Sequence, residues 1–319
     1  MSASAKAISP SDYHELTYGI TRLLADAPSI EQSIPVILKL LADKLAWDLA
    51  NWWTVNDYKL LLQFSETWSM PGVDFPNFIK VSSAREFSVG EGLPGTAWAS
   101  RTAVWFPDVA RELNFPRASV ARMDGLHTGV GFPLRGSPSV VGVIELFSRD
   151  VRRPESTLIE FLGGLGAQIG VFVERARALE QLRHLDAQFQ HLASTTAEAI
   201  FTIDESSKIL FANSAIERIL GYTPEELVGQ NLTVLIPARL REQHRAGLKR
   251  YMQTGQRKLA WEAVRLPGLH KNGWEVELEI SFAEFQKASQ RVFTGFVREA
   301  SAAEGLKSAR SGEVGGARR

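Results

Sequence analysis

Residues 274–282 read WEVELEISF. Trp274, Val276, Leu278, Ile280 and Phe282 fall on one side of an extended chain, and Glu275, Glu277, Glu279 and Ser281 on the other. That alternation belongs to a strand of an antiparallel sheet with one face in a core and one in water. Working outward, KLAWEAVRL (258–266) and RVFTGFVRE (291–299) have the same β-branched and aromatic bias. Further back, AIFTID (199–204) and KILFAN (208–213) flank the polar turn ESS. Helical patterns separate the two groups: SAIERILG (214–221), TPEELVG (223–229), in which Pro224 suits a first turn, and ARLREQHRAGLKRYMQTG (238–255). The C-terminal half is therefore expected to hold a five-stranded antiparallel sheet, with helices gathered between its second and third strands.

Upstream, residues 154–196 contain no turn cluster and no proline after Pro154. Leu165, Ile169, Phe172, Ala176, Leu179, Leu182, Leu185, Phe189 and Leu192 are separated by steps of 4, 3, 4, 3, 3, 3, 4 and 3. Alternating fours and threes make a heptad seam, and the run of threes slips the register as a stammer does. A connecting helix over 165–196 that pairs in a parallel homodimer is expected; packing of this helix on its own domain is the alternative.

The N-terminal half is also α+β. Ile30, Ile34, Ile37, Leu38, Leu41 and Leu45 recur at helical spacing behind Ser29 and Gln32, which suit a capping box. LANWWTV and LLLQFSETW follow as a hairpin around NDYK, and then the pattern becomes irregular. GEGLPGTAWASRTAVWFPDV (90–109) reads as a glycine-rich entry, a short helix and a strand; FPRASVARMDG (115–125) as a short helix; TGVGFPLRG and SVVGVIELFS as two strands around Pro138.

Composition narrows the chemistry. The chain has 319 residues, 45% hydrophobic and 23% charged, which suits two globular domains. Its formal charge is zero, so no long-range field implies nucleic acid or an anionic membrane as partner. Without cysteine there are no disulfides, thiolate metal sites or thiol nucleophiles. The N-terminus lacks a signal-peptide core, and the most apolar window, LIEFLGGLGAQIGVFV (158–173), is short and interrupted by Glu160 and Gln168. A cytoplasmic protein is expected.

Two family resemblances rest on these segments. EGLPGTAWASRTAVWFPDV, NFPRASVARMDGLHTGVGFPLR and VVGVIELFSRD resemble a GAF domain, over residues 15–175. AIFTID, NSAIERILGYTPEELVGQN, HKNGWEVELEIS and FTGFVRE resemble a PAS domain, over residues 197–300. Residues 1–14 read as a tail, and 301–319 as a disordered one. Both resemblances imply small sensory modules with an antiparallel sheet and a pocket on one face.

The resemblances also frame the ligands. The Asn-Lys, Phe and Asp-Glu set of cyclic-nucleotide GAF domains is absent, since Asn114 and Phe115 are adjacent and no Asp-Glu pair follows. Covalent bilin and the blue-light flavin motif both call for cysteine. RLREQHRAGLKRY and FTGFVRE resemble the haem-binding PAS domain of rhizobial oxygen sensors, whose iron-binding histidine corresponds here to Lys258, a poor axial ligand when protonated. His244 is expected to be solvated or capping, and His270 lies in a turn. No cofactor or metal is expected. A noncovalent apolar ligand remains, with Trp261, Ile280, Phe282, Thr294 and Phe296 as candidates to line the PAS pocket and Trp53, Trp68 and Trp105 the GAF pocket; ordinary core packing is the competing role for each.

No catalytic domain is expected. His14-Glu15 lacks the basic residue and proline of a phosphoacceptor, nothing like an ATP-binding domain follows Ser301, and Gly163-Gly164 sits inside the helical seam. GEGLPG lacks the Lys-Ser or Lys-Thr pair of a phosphate loop. Asp108, Asp124 and His127 have no nucleophile near them in sequence. The expected function is a non-catalytic sensor of bacterial two-component type, acting on a signalling-protein partner. Two alternatives stay open: the input portion of a sensor histidine kinase or cyclase without its output domain, and a structural dimerisation module with empty pockets.

Overall fold

The computed structural model describes residues 9–26, 29–257, 261–287 and 290–300. It is α+β, with two antiparallel sheets and a long helix between them. Two compact units divide it, Met1–Leu182 and Arg183–Arg319.

In the first unit the elements are α1 (Pro10–Asp26), α2 (Ile30–Leu45), β1 (Leu49–Asn56), β2 (Leu61–Ser69), α3 (Pro76–Ser83), β3 (Glu86–Phe87), α4 (Gly92–Ser100), β4 (Val104–Phe106), α5 (Ala118–Met123), β5 (Thr128–Arg135), β6 (Val140–Ser148) and the first part of α6 (Ser156–Thr195). The sheet order is β3-β2-β1-β6-β5-β4, antiparallel throughout. Side chains alternate along β6, so Ile144 and Leu146 enter one core with α1, α2 and α6. Val143 and Phe147 enter cores on the opposite face, under α3, α4 and α5.

Helix α1 begins at Pro10, inside the stretch 1–14 that reads as a tail. Ser9 caps it: the Asp12 carboxylate accepts from the Ser9 amide at 2.8 Å and the Ser9 hydroxyl at 2.7 Å. Leu16, Ile20 and Leu24 then follow four apart and are buried. At α2, Ser29 is the cap and its hydroxyl accepts from the Gln32 amide.

Helix α6 divides its seam between core and solvent. Leu158, Leu162, Leu165, Ile169 and Val173 are buried in the first unit. Gly166 and Gly170 set the approach to β5, because a Cβ there would stand 2.4 Å from the Pro133 carbonyl oxygen and the Arg135 amide nitrogen. Helix α6 is long and apolar enough by composition to cross a membrane, and the contact with β5 accounts for its apolar first half. Beyond it Leu179, Leu182, Leu185, Phe189 and Leu192 are 46–66% exposed. The alternative of packing on the helix's own domain thus holds for the first half of the seam only.

The face of the first sheet under α3–α5 closes around an ion pair. The Arg117 and Glu145 side chains have no solvent exposure and approach to 2.5 Å. Trp53 Nε1 donates to the second Glu145 oxygen at 2.6 Å, and Arg117 donates to Ser82 Oγ at 2.9 Å. The rings of Trp53, Phe78, Phe87, Phe115 and Phe147 surround the guanidinium at 4.7–5.6 Å. Burial pushes the Arg117 pKa down, and Glu145 opposes that shift.

The second unit contains the end of α6, then β7 (Ala199–Ile203), β8 (Ile209–Ala212), α7 (Ala215–Leu220), α8 (Pro224–Leu227), α9 (Arg241–Thr254), β9 (Val264–Leu269), β10 (Glu275–Lys287) and β11 (Gln290–Glu299). The sheet order is β8-β7-β11-β10-β9. Strand β9 lies later than KLAWEAVRL implies, pairing Val264–Leu269 with Ile280–Glu275. Pro267 is tolerated because β9 is an edge strand. Asn213 ties the end of α6 to the sheet: its amide donates to the Ala193 and Glu198 carbonyls at 2.7 and 2.9 Å and its oxygen accepts from the Ile200 amide at 2.8 Å.

Glu145→Ala leaves Arg117 buried without its counter-ion and is expected to destabilise the first unit by about 3–5 kcal/mol, whereas Arg117→Met with Glu145→Leu restores most of that loss. Urea unfolding followed by near-ultraviolet circular dichroism measures both; equal losses would contradict the account. Asn213→Ala strands buried backbone groups and is expected to cost the second unit about 1–3 kcal/mol in the same measurement.

Candidate functional site

The inner face of the second sheet does not fill. Between β7, β9, β10 and β11 on one side and α9 with the segment 232–240 on the other lies a cavity of about 320 Å³, within the range of small-ligand sites. Its apolar walls follow from strand alternation. Leu278, Ile280 and Phe282 come from β10, Phe201 and Ile203 from β7, Phe293 and Val297 from β11, and Leu266 from β9. Gly295 and Gly268 lie tightly under neighbouring side chains: a Cβ would stand 2.6 Å from the Phe201 ring and 2.4 Å from Leu278 Cδ1.

Helix α9 covers this space with Gln243, His244, Gly247, Leu248, Arg250 and Tyr251. None of its residues is fully buried. A cover that is itself loosely packed is the kind of element that opens locally at low cost. An aromatic cluster closes one end, with Trp261 at 5.5 Å from Tyr251 and 6.4 Å from Phe282, and Tyr251 at 5.9 Å from Phe293. Arg257 lies over Trp261 at 3.7 Å. A second, open hollow of about 660 Å³ shares Arg257, Trp261 and Phe282, but carries Glu262, Glu284 and Arg291 on its walls. Predominantly apolar walls make the smaller cavity the better candidate for a ligand site.

His244 Nε2 lies 2.6 Å from Ser207 Oγ. Burial lowers its pKa below the usual histidine value, and Arg245 adds to the effect. Near neutral pH it therefore meets the cavity as an uncharged imidazole.

Of the PAS candidates, Trp261, Ile280, Phe282 and Thr294 line the cavity together. Phe296 does not. Gly295 and Val297 line the cavity, so alternation turns Phe296 to the opposite face, where it is 36% exposed. The GAF candidates do not form one pocket. Trp53 belongs to the core around Phe87, while Trp68 and Trp105 pack against the core on the other face of the sheet. Trp105 meets Trp47 edge-on at 5.6 Å.

Lys258 lies outside the described residues, as does the stretch 301–319. His270 stacks on Trp274 at 4.1 Å in the β9–β10 turn. Asp108 and His127 stand 3.5 Å apart, but Asp124 instead accepts from Asn77 Nδ2 and the Phe78 amide, both at 2.7 Å. The trio is thus no catalytic constellation. Among the described residues no cluster of three or more histidines and carboxylates fit to hold a metal is present. Sequence reading missed Arg250 and Arg257; the one signal was their place on the polar helix and segment that follow the first PAS strands.

Comparison with known proteins agrees with this division. The GAF domain family matches residues 28–174 and the PAS fold family residues 187–300. The sensor protein FixL of Bradyrhizobium diazoefficiens is 26% identical over 147 residues, covering 46% of this chain and 28% of that protein. The oxygen sensor protein DosP of Escherichia coli is 26% identical over 99 residues, covering 31% and 12%. Among solved structures, the GAF domain of a phosphoenolpyruvate-protein phosphotransferase from Coxiella burnetii covers 54% of this chain and 98% of its own, with 17% identity and a TM-score of 0.46. The chain spans less than a third of the length of the curated relatives it matches. The two matches are to sensory domains and none is to a catalytic one: the chain contains a GAF domain followed by a PAS domain.

Proposed function

We propose that this chain is a non-catalytic sensory protein that binds a small noncovalent ligand in the PAS cavity and transmits through a homodimer formed along α6. The observation that carries the reading is the apolar cavity of about 320 Å³ beneath a cover with no fully buried residue. A packed structural module fills its core to crystal-like density; a preformed apolar space of this size favours an occupant.

The dimer reading rests on α6. Leu179, Leu182, Leu185, Phe189 and Leu192 present an exposed apolar stripe, about 20 Å long at helical rise. Single exposed leucines are ordinary, but a stripe at heptad spacing favours a second helix. The ligand is neither haem nor flavin in this reading, and bilin has no cysteine to join. The setting is a cytoplasmic signalling system of two-component type, with a signalling-protein partner and without nucleic acid or membrane.

Light scattering is expected to give a dimer that Leu179→Glu with Leu185→Glu converts to a monomer of unchanged circular dichroism; an unaltered mass sinks the dimer. Native mass spectrometry of protein purified from its own host is expected to show a small adduct that leaves on denaturation, with no absorbance beyond the tryptophan band. A Soret or flavin band would overturn the cofactor reading, and a bare mass the ligand reading.

A further inference from the structure

The formal charges on the cavity's described lining are Arg250 and Arg257; no aspartate or glutamate is among those lining residues. This is unusual for a wall drawn from elements rich in acidic residues, since β10 alone carries Glu275, Glu277, Glu279 and Glu284. Alternation and pairing account for it. Glu275 is bound by Arg239 and Glu279 by Arg298, away from the cavity. Glu284 accepts from the Tyr251 hydroxyl and lies 3.7 Å from Arg291.

Arg250 is half-buried, and its guanidinium makes no ion pair or hydrogen bond with a described residue. Arg257 is exposed at the rim, stacks over Trp261 at 3.7 Å, and also borders the second hollow, whose walls carry Glu262 and Glu284. A half-buried guanidinium facing an apolar space is poorly solvated and gains most from a fixed anion. The neutral His244, with Gln243 and Gln256, adds uncharged hydrogen-bonding groups to the same lining.

We infer that the cavity takes an amphiphilic monoanion: a carboxylate with an apolar body of the size of a medium-chain fatty acid, its tail among Leu278, Ile280 and Phe293 and its head on Arg250, with Arg257 at the rim. This rests on the PAS cavity being a ligand site and adds the class of ligand. A guanidinium pairs with a carboxylate through two parallel hydrogen bonds, which a neutral alcohol does not offer. An ammonium head would meet two like charges.

Calorimetric titration of the full chain with decanoate, decanol and decyltrimethylammonium, each below its micellar concentration, tests the inference with one tail and three heads. Decanoate is expected to bind at least about ten-fold more tightly than decanol, and the ammonium most weakly. Arg250→Gln is expected to weaken decanoate about ten-fold and to leave decanol unchanged. Gly247 localises the site: it lines the cavity, and a Cβ added there meets no atom within 4 Å. Gly247→Phe, which removes a helix-interior glycine, is expected to abolish decanoate binding while the far-ultraviolet spectrum is kept.

Decanol binding as tightly as decanoate, or an Arg250→Gln protein that keeps the preference, overturns the anionic class and leaves the ligand site standing. Decanoate binding that survives Gly247→Phe overturns the location. Absence of binding by all three amphiphiles overturns the inference and counts against the ligand site as well.

Discussion

A helix of forty residues can bury only as much of its apolar stripe as there is core beside it, and α6 is that helix. Its first half lies so close to β5 that Gly166 and Gly170 leave no room for a Cβ. This docking fixes Leu158, Leu162, Leu165, Ile169 and Val173 in the first core and leaves the leucines after Ala176 without one. The same seam thus serves as core at one end and as free surface at the other. The heptad pattern does not distinguish the two; Gly166 and Gly170 do, because a Cβ at either would meet the backbone of β5.

The two sheets treat their inner faces differently. On the first, the space beneath α3–α5 is taken by a salt bridge and five aromatic rings. A buried charge pair contributes little net stability against an apolar replacement, but breaking it costs several kcal/mol, so it holds Trp53, Ser82 and the rings in one arrangement. Among the described residues of the second unit no buried ion pair fills the corresponding space. The residues there are as apolar, but α9 carries only Leu248, Tyr251 and Met252 against the core, and the space stays open. The PAS half therefore carries the proposed ligand site, although the indole-rich GAF half draws attention first.

The legible part of the fold was what alternation and caps encode locally. The run from Trp274 to Phe282 predicts the face that lines the cavity, and Ser29 predicts where α2 starts. Helix α3 was not legible, because the group that caps its first turn is Asp124, some forty-six residues later. Helix α1 did carry a signal in Ser9, Pro10 and Asp12 ahead of leucines and an isoleucine four apart. Phe296 and the three GAF tryptophans show a different limit. Aromatic residues suit a pocket, but which face they occupy is set by register, and Trp52 and Trp53, being adjacent, belong to cores on opposite faces of their sheet. The roles of Arg250 and Arg257 were hidden for a third reason. They are defined by the absence of carboxylates from the lining of the smaller cavity, which only the folded pairing of Glu275, Glu279 and Glu284 reveals.

The cavity and the helix meet in one strand. Phe201 and Ile203 of β7 line the cavity, while Ile200, between Ala199 and Phe201, donates its amide to Asn213. Asn213 in turn holds the Ala193 carbonyl in the last turn of α6 and the Glu198 carbonyl at the strand's entry. A displacement of β7 by one side chain's width cannot be absorbed at Asn213 without breaking hydrogen bonds in a site only 4% exposed, where each lost bond carries its desolvation cost. Movement of the helix end is the cheaper response, since residues 179–192 have few packed neighbours to lose. In the proposed function the physical path from occupant to output is thus short: one strand, one asparagine and the exposed half of α6.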